Sequence, residues 1–209
     1  MTREAFIEVL KRQEYPYEIL GNKVVVTYRG NLYLVSLTSI PPNVVFRNTG
    51  NVELYRLTSL PPGVEFSNGG GVFFSDLTSL PSGVEFRNGE GVSLNSLTSL
   101  PPGVVFENGR DVSLSSLTSL PPGVVFRNRG YVNLGSLTSL PPGVEFRNGG
   151  NVFLDSLTSL PTGVVFKNGG DIRLKSLTGG YFTNWKGNIE GIDEKRLLNK
   201  MIKDGVFER

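Results

Sequence analysis

Between residues 31 and 178 the apolar positions recur in one order, Val-x-Leu, then Leu-x-x-Leu, then Val-x-Phe, with a period of twenty residues. In the copy running from Asp111 to Gly130 they are Val112, Leu114, Leu117, Leu120, Val124 and Phe126. Val112/Leu114 and Val124/Phe126 alternate with a period of two, which predicts two short strands facing one core. Leu117 and Leu120 lie three apart, so the chain bends between and around those strands. Pro121-Pro122-Gly123 predicts one turn, and Asn128 with the Gly-rich pair after it predicts another. The phrase Leu-Thr-Ser-Leu-Pro starts at residues 57, 77, 97, 117, 137 and 157; a variant with Ile40 starts at Leu37, and a truncated copy at Leu177. A fixed period of this length is the mark of a solenoid, in which each repeat is one coil stacked on the last. The expected fold is a mainly β, parallel β-solenoid. Seven coils paired at about 4.8 Å would span roughly 34 Å.

The flanks break the pattern and read as caps, which a solenoid needs to cover its end cores and strand edges. Residues 1–30 predict a helix N-capped by Thr2, with Ala5, Phe6, Val9 and Leu10 on one face and Pro16 as its stop. Tyr17 to Leu20 and Val24 to Tyr28 then predict two strands joined at Gly21-Asn22-Lys23. Residues 31–178 form the solenoid. Residues 179–209 predict an aromatic and helical C-terminal cap. Tyr181, Phe182 and Trp185 would cover the last core layer, and Asp193 would N-cap a helix carrying Leu197, Leu198, Met201 and Ile202, stopped at Gly205.

Comparing the copies with one another separates what a coil demands from what it leaves free. Asn48, Asn68, Asn88, Asn108, Asn128, Asn148 and Asn168 never vary. A binding ladder is one reading; the favoured one is a corner amide bonded to its own backbone and to the Asn of the next coil. The Thr column from Thr38 to Thr178 is read the same way. An ice-binding ladder would need a flat Thr array, and here each Thr sits between two core Leu residues and is followed by Ser.

Two outward columns vary. One reads Tyr33, Glu53, Phe73, Ser93, Ser113, Asn133, Phe153, Arg173, and beside it runs Val35, Tyr55, Ser75, Asn95, Ser115, Gly135, Asp155, Lys175. Aromatic side chains standing outward on a rigid face are typical interface anchors, so Tyr33, Tyr55, Phe73 and Phe153 are the candidate protein-binding residues. The alternative is that they support the strands by cross-strand packing. A second face carries Arg47, Arg87, Arg127, Arg147 and Lys167, the candidate nucleic-acid track. Glu85 beside Arg87 and Glu145 beside Arg147 predict neutralised rows instead, and Glu107 interrupts the line. The Val residues interleaved there, Val105 and Val125 among them, are a possible self-association strip. Asp155 and Asp171 read as isolated, solubilising positions.

Composition narrows the chemistry. The 209 residues include no Cys and no His. This removes thiolate and imidazole metal ligands, disulfides, a cysteine nucleophile and the usual general base near neutral pH. No pair of carboxylates recurs at a spacing that marks a calcium loop or an acid/base couple, and the Asn-Gly-Gly corners lack the order of a phosphate loop. No catalytic residue, metal or cofactor is therefore expected. Residues 31–178 hold ten Lys+Arg and ten Asp+Glu, a balance that disfavours an electrostatic grip on nucleic acid. The N-terminus has no apolar run of the secretory kind and no stretch reaches the length of a membrane span, so a soluble, cytoplasmic chain is expected.

The phrase Leu-Thr-Ser-Leu-Pro-Pro-Gly at 97–103, 117–123 and 137–143 resembles the short bacterial leucine-rich repeats of secreted effector proteins. The resemblance spans residues 31–178 and implies protein recognition; the effector domain of that family has no counterpart here. In that family an Asn precedes the Leu-Pro phrase. Here Val112-Ser-Leu114 is followed directly by Ser-Ser-Leu117, and the Asn comes after Val124-x-Phe126. That departure favours a straighter, more closed, leucine-rich-repeat-like solenoid over a horseshoe. The chain also resembles repeat-built proteins of phages and mobile elements. The expected function is a non-enzymatic scaffold binding an unidentified protein as a monomer or weak homo-oligomer. The alternatives are nucleic-acid binding or mimicry and a purely structural element.

Overall fold

The structure, a computed structural model, describes residues 1–159, 161, 164–178, 180–182 and 189–190. Two parallel sheets run its length and are built from strands of two or three residues, as the repeat predicts. One sheet contains Val44–Phe46, Glu65–Phe66, Glu85–Phe86, Val105–Phe106, Val125–Phe126, Glu145–Phe146 and Val165–Phe166. The other contains Leu32–Tyr33, Val52–Glu53, Val72–Phe74, Val92–Leu94, Val112–Ser113, Val132–Asn133, Val152–Phe153 and Ile172–Leu174. The register pairs each residue with the one twenty positions on, as in Val112 with Val132 and Phe126 with Phe146. Each coil therefore lays its core side chains on their own copies. The third side is irregular and carries Leu117-Thr118-Ser119-Leu120. The Thr118 N–H and hydroxyl both donate to the Thr98 carbonyl, at 3.0 and 3.1 Å, and Thr78 and Thr158 repeat the arrangement.

The core is a stack of similar layers, one of which has Phe74 at a Leu position, edge-on to Phe66 at 5.8 Å. Phe46, Phe66, Phe86, Phe106, Phe126, Phe146 and Phe166 stack ring on ring, with centroids 5.0–5.5 Å apart and planes within 10° of parallel. That separation exceeds the strand spacing, so the rings are offset, the geometry their quadrupoles prefer. Among the described residues the repeated Val and Leu positions close the layer around them and are buried, as Val112, Leu114, Leu117, Leu120 and Val124 are in one coil.

Two turns make the coil close. Gly63, Gly83, Gly103, Gly123 and Gly143 all sit at φ between +74° and +77°, behind a Pro or Ser. A type II turn needs this left-handed residue at its third position. The first coil has Asn43 there, at φ +61°, because Asn tolerates the region best after Gly. At the opposite corner Asn48, Asn68, Asn88, Asn108, Asn128 and Asn148 are buried, and Asn168 is half-buried. Asn108 Nδ2 donates to the carbonyls of Arg110 (3.0 Å) and Asp111 (3.1 Å) in its own turn and of Glu90 (3.1 Å) in the preceding coil. The same triple contact recurs at Asn48, Asn68, Asn88, Asn128 and Asn148. The expected Asn-to-Asn bond does not form. The amide's two N–H groups are taken by carbonyls, and its buried Oδ1 has no protein donor.

The N-terminal cap is a helix and hairpin. The helix α1 (Arg3–Arg12) is N-capped by Thr2, whose Oγ1 accepts from Ala5 N–H at 3.2 Å, and it buries Phe6 and Leu10 on the first core layer. Ala5 faces solvent instead. The helix ends before Pro16, because Glu14 turns left-handed at φ +57° and Tyr15 N–H returns to the Leu10 carbonyl. Strands β1 (Tyr17–Leu20) and β2 (Lys23–Val26) form an antiparallel hairpin around Gly21-Asn22, and β2 starts the first parallel sheet by pairing with Val44–Phe46. Beyond Ile172–Leu174 the chain makes one helical turn, Lys175–Thr178. The second sheet then continues with Gly180–Phe182 and Ile189–Glu190, both antiparallel. The expected C-terminal helix from Asp193 to Gly205, Trp185, and the side chains of Tyr181 and Phe182 lie outside the described residues.

Phe106→Ala should cost about 3–5 kcal/mol in denaturant unfolding, because rings on both sides prevent the gap from collapsing. A loss below about 1 kcal/mol would show that the layers repack independently. At the type II turn Gly103→Ala should destabilise by about 1–2 kcal/mol and Gly103→Asn by less, following Asn43.

Candidate functional site

The second sheet presents the variable columns, and its register places them as the alternation predicts. Tyr33 pairs with Glu53, Glu53 with Phe73, Phe73 with Ser93, Ser93 with Ser113, Ser113 with Asn133, Asn133 with Phe153, and Phe153 with Arg173. The four candidate aromatic residues thus share one face but fall into different environments. Tyr33 and Tyr55 are 52% and 37% exposed, with Val35 exposed beside them. The Tyr33 hydroxyl accepts from Asn31 Nδ2 at 3.1 Å, and its backbone N–H donates to the Tyr15 hydroxyl at 3.1 Å. The Glu53 carboxylate beside Tyr55 accepts from its phenol and raises the pKa of that hydroxyl above its usual value, with partial burial adding to the effect.

Phe73 and Phe153 are half-buried. The ring of Phe73 lies over Gly71, where a Cβ would come within 2.7 Å of it. Phe153 is enclosed by two neighbours. Tyr131 meets it edge-on at 5.6 Å, and the Arg173 guanidinium sits 4.5 Å over its ring. Arg173 is in turn held by Asp155, with Nε to Oδ1 at 2.5 Å and a second contact from Nη2 to Oδ2. Asp155 is therefore a half-buried ion-pair partner and not an isolated solubilising residue. Its pairing with Arg173 follows from the register, since the residue two positions on from Phe153 lies diagonal to Arg173 in the next coil.

Tyr131 was not among the residues singled out from the sequence. The clue lies in the position preceding each first strand, which reads Asn31, Asn51, Gly71, Gly91, Asp111, Tyr131, Asn151, Asp171. Tyr131 is the one aromatic in a column of Asn, Gly and Asp. At four of these positions an Asn or Asp side chain reaches forward one coil. Asn31 Oδ1 accepts from Asn51 N–H, Asn51 from Gly71, Asp111 from Tyr131 and Asn151 from Asp171, all at 2.8–2.9 Å. Tyr131 is partly covered, and that burial, followed by the charge of Asp111, raises its pKa.

Between Phe73 and Tyr131 the outward residues shrink to Gly91, Ser93 and Ser113, which leaves an open depression of about 620 Å³. Asn95 organises its floor. Its Oδ1 accepts from Ser113 Oγ (2.7 Å), Ser115 Oγ (2.9 Å) and Ser115 N–H (3.3 Å), and its Nδ2 donates to Ser93 Oγ (3.2 Å).

The basic column on the first sheet is largely neutralised. Arg87 contacts Glu85 at 3.2 Å and Glu107 at 3.4 Å, Arg127 contacts Glu107 at 3.4 Å, and Arg147 binds Glu145 at 2.5 Å. Glu107 therefore links two coils where the sequence showed only an interruption. Arg47 and Lys167, at the ends of the row, make no ion pair among the described residues. Of the Val residues interleaved there, Val45 is buried and Val105, Val125 and Val165 are half-buried.

No protein-family profile, no characterised protein and no solved structure matches this chain. Among the described residues no cluster of carboxylates is arranged to hold a metal ion, and no helix is long and apolar enough to cross a membrane.

The hydrogen bond from Arg147, aided by its charge and those of Lys167 and Arg127, holds the Glu145 carboxyl below its usual pKa. A lowered folded value means that the contact favours the fold above the unfolded pKa and is lost as pH falls through the folded one. Arg147→Gln should move the Glu145 titration upward toward the ordinary carboxylate range, followed by side-chain NMR. An unmoved titration would mean that the pair does not persist in solution.

Proposed function

We propose that this chain is a non-enzymatic recognition scaffold that binds another protein through the outer face of its second sheet. The observation that carries the reading is the exposed aromatic cluster of Tyr33 and Tyr55, with Val35, on the first two coils. Their backbones are held by the interstrand ladder and by the Tyr15 hydroxyl. Anchors fixed in this way lose little conformational entropy on binding, and tyrosine offers both apolar area and a hydrogen-bonding tip. Phe73 extends the cluster by one coil, whereas Phe153 serves to support Tyr131.

The absence of His and Cys supports a binding role over catalysis. The likeness of the Leu-Thr-Ser-Leu-Pro-Pro-Gly phrase to short bacterial leucine-rich repeats supports protein recognition. Binding of nucleic acid along Arg47, Arg87, Arg127, Arg147 and Lys167 is the weaker reading, because Glu85, Glu107 and Glu145 cancel the positive potential a phosphate backbone requires.

The test is affinity capture from a nuclease-treated lysate, comparing the intact chain with a Tyr33→Ser/Tyr55→Ser variant. A protein should be retained by the intact chain alone, with the two melting temperatures within about 2 °C because both side chains are exposed. Equal capture, or none, would overturn the reading.

A further inference from the structure

The depression between Phe73 and Tyr131 has a chemistry different from that of the Tyr33–Tyr55 cluster. Its two walls are aromatic rings, and its floor is made of uncharged hydroxyl and amide groups. Those groups keep hydrogen-bonding capacity after satisfying one another. Ser93 Oγ accepts from Asn95 and retains its own O–H; Ser113 donates to Asn95 and retains its lone pairs; Asn95 Nδ2 has a second N–H. Glu90, Arg110 and Asp111 also line the depression, and the first two form an ion pair. Arg110 binds Glu90 at 2.7 Å, and Asp111 Oδ1 accepts from Tyr131 N–H at 2.9 Å. Asp111 makes no ion pair among the described residues, and its negative charge disfavours an anionic ligand.

The walls stand three coils apart, about 14 Å at the parallel-strand spacing. The depression is open to solvent, so it cannot enclose most of a compact apolar ligand as a drug-like pocket does. A ligand suited to it is elongated, with apolar faces toward the rings and a rim of hydroxyls toward the floor. Pyranose sugars have this construction, since their C–H faces pack on aromatic rings and their hydroxyls both donate and accept.

We propose that the depression bounded by Phe73 and Tyr131 is a binding site for a neutral oligosaccharide. Roughly two or three pyranose units fill a 14 Å gap, with the hydroxyls meeting Ser93, Asn95 and Ser113. The walls are preorganised. Phe73 is seated on Gly71, and Tyr131 is backed by Phe153, which Arg173 and Asp155 hold in place. The site does not depend on the protein-binding role of Tyr33 and Tyr55.

The test titrates the full chain with cello-, malto-, xylo- and N-acetylchito-oligosaccharides at millimolar concentration, read by tyrosine fluorescence and saturation-transfer NMR. At least one series should bind, more tightly as the chain lengthens to fill the gap. Tyr131→Ser should weaken binding at least about tenfold. Ser113→Lys, an outward substitution that fills the floor without touching the core, should do the same in a protein with unchanged melting. Tyr33→Ser/Tyr55→Ser should bind sugar normally, which separates this site from the protein-binding surface. The proposal is overturned if no neutral series binds, if only charged saccharides bind, or if Ser113→Lys binds as well as the intact chain. It is equally overturned if a captured protein partner is lost on Tyr131→Ser and no sugar displaces it.

Discussion

The amide of a single asparagine per coil is the constraint on which the rest of the solenoid depends. Asn108 draws together two carbonyls of its own corner and one of the coil before it, so that one side chain sets both the bend and the stacking register. It works because the corner is otherwise unable to satisfy its carbonyls. At Gly109 a Cβ would collide with the Gly89 carbonyl, which shows how closely successive corners approach. Burying a carbonyl without a donor costs about 1–3 kcal/mol, so the amide is indispensable there even though its own Oδ1 has no protein partner. With the corners locked, the Phe rings are brought over one another and the short strands, too brief to be stable singly, pair along the whole stack.

Much of this was legible in the sequence because a repeat writes each coil's rules several times over. Val112/Leu114 and Val124/Phe126 alternate as strands must, and Pro-Pro-Gly marks a turn by its backbone demands. What escaped is what the period cannot express. The end of α1 rests on Glu14 taking a left-handed conformation, which has no residue-type signature. The partner of the Asn amide is a carbonyl eighteen residues earlier, a contact defined by the angle of the corner and not by sequence spacing. Asp155 pairs with Arg173 eighteen residues on, a diagonal contact between neighbouring columns that no single column shows.

The two sheets handle their outer faces differently. On the first, charges of opposite sign lie in adjacent coils and neutralise one another through Glu85, Arg87, Glu107 and Arg127. On the second, the same backbone carries aromatic residues at intervals with small polar residues between them. Taken one at a time, the columns single out Tyr33 and Tyr55 as candidate anchors but not the depression, because its second wall, Tyr131, belongs to a neighbouring column. Phe153, a candidate anchor, packs against the back of that wall. A surface shaped by several columns becomes visible only once the coils are stacked.

Apart from Lys23, which reaches past one strand to Glu65, the described coils bond to their immediate neighbours, so a whole repeat within the stack can be gained or lost without disturbing the contacts of the others. The distance between Phe73 and Tyr131 is therefore quantised in steps of about 4.8 Å. Unequal recombination among these near-identical repeats would lengthen or shorten the space between the two rings by one rung at a time, leaving both walls intact. Such an architecture lets a lineage adjust the spacing of features on an outer face by copy number, without first having to discover a new fold or a new contact.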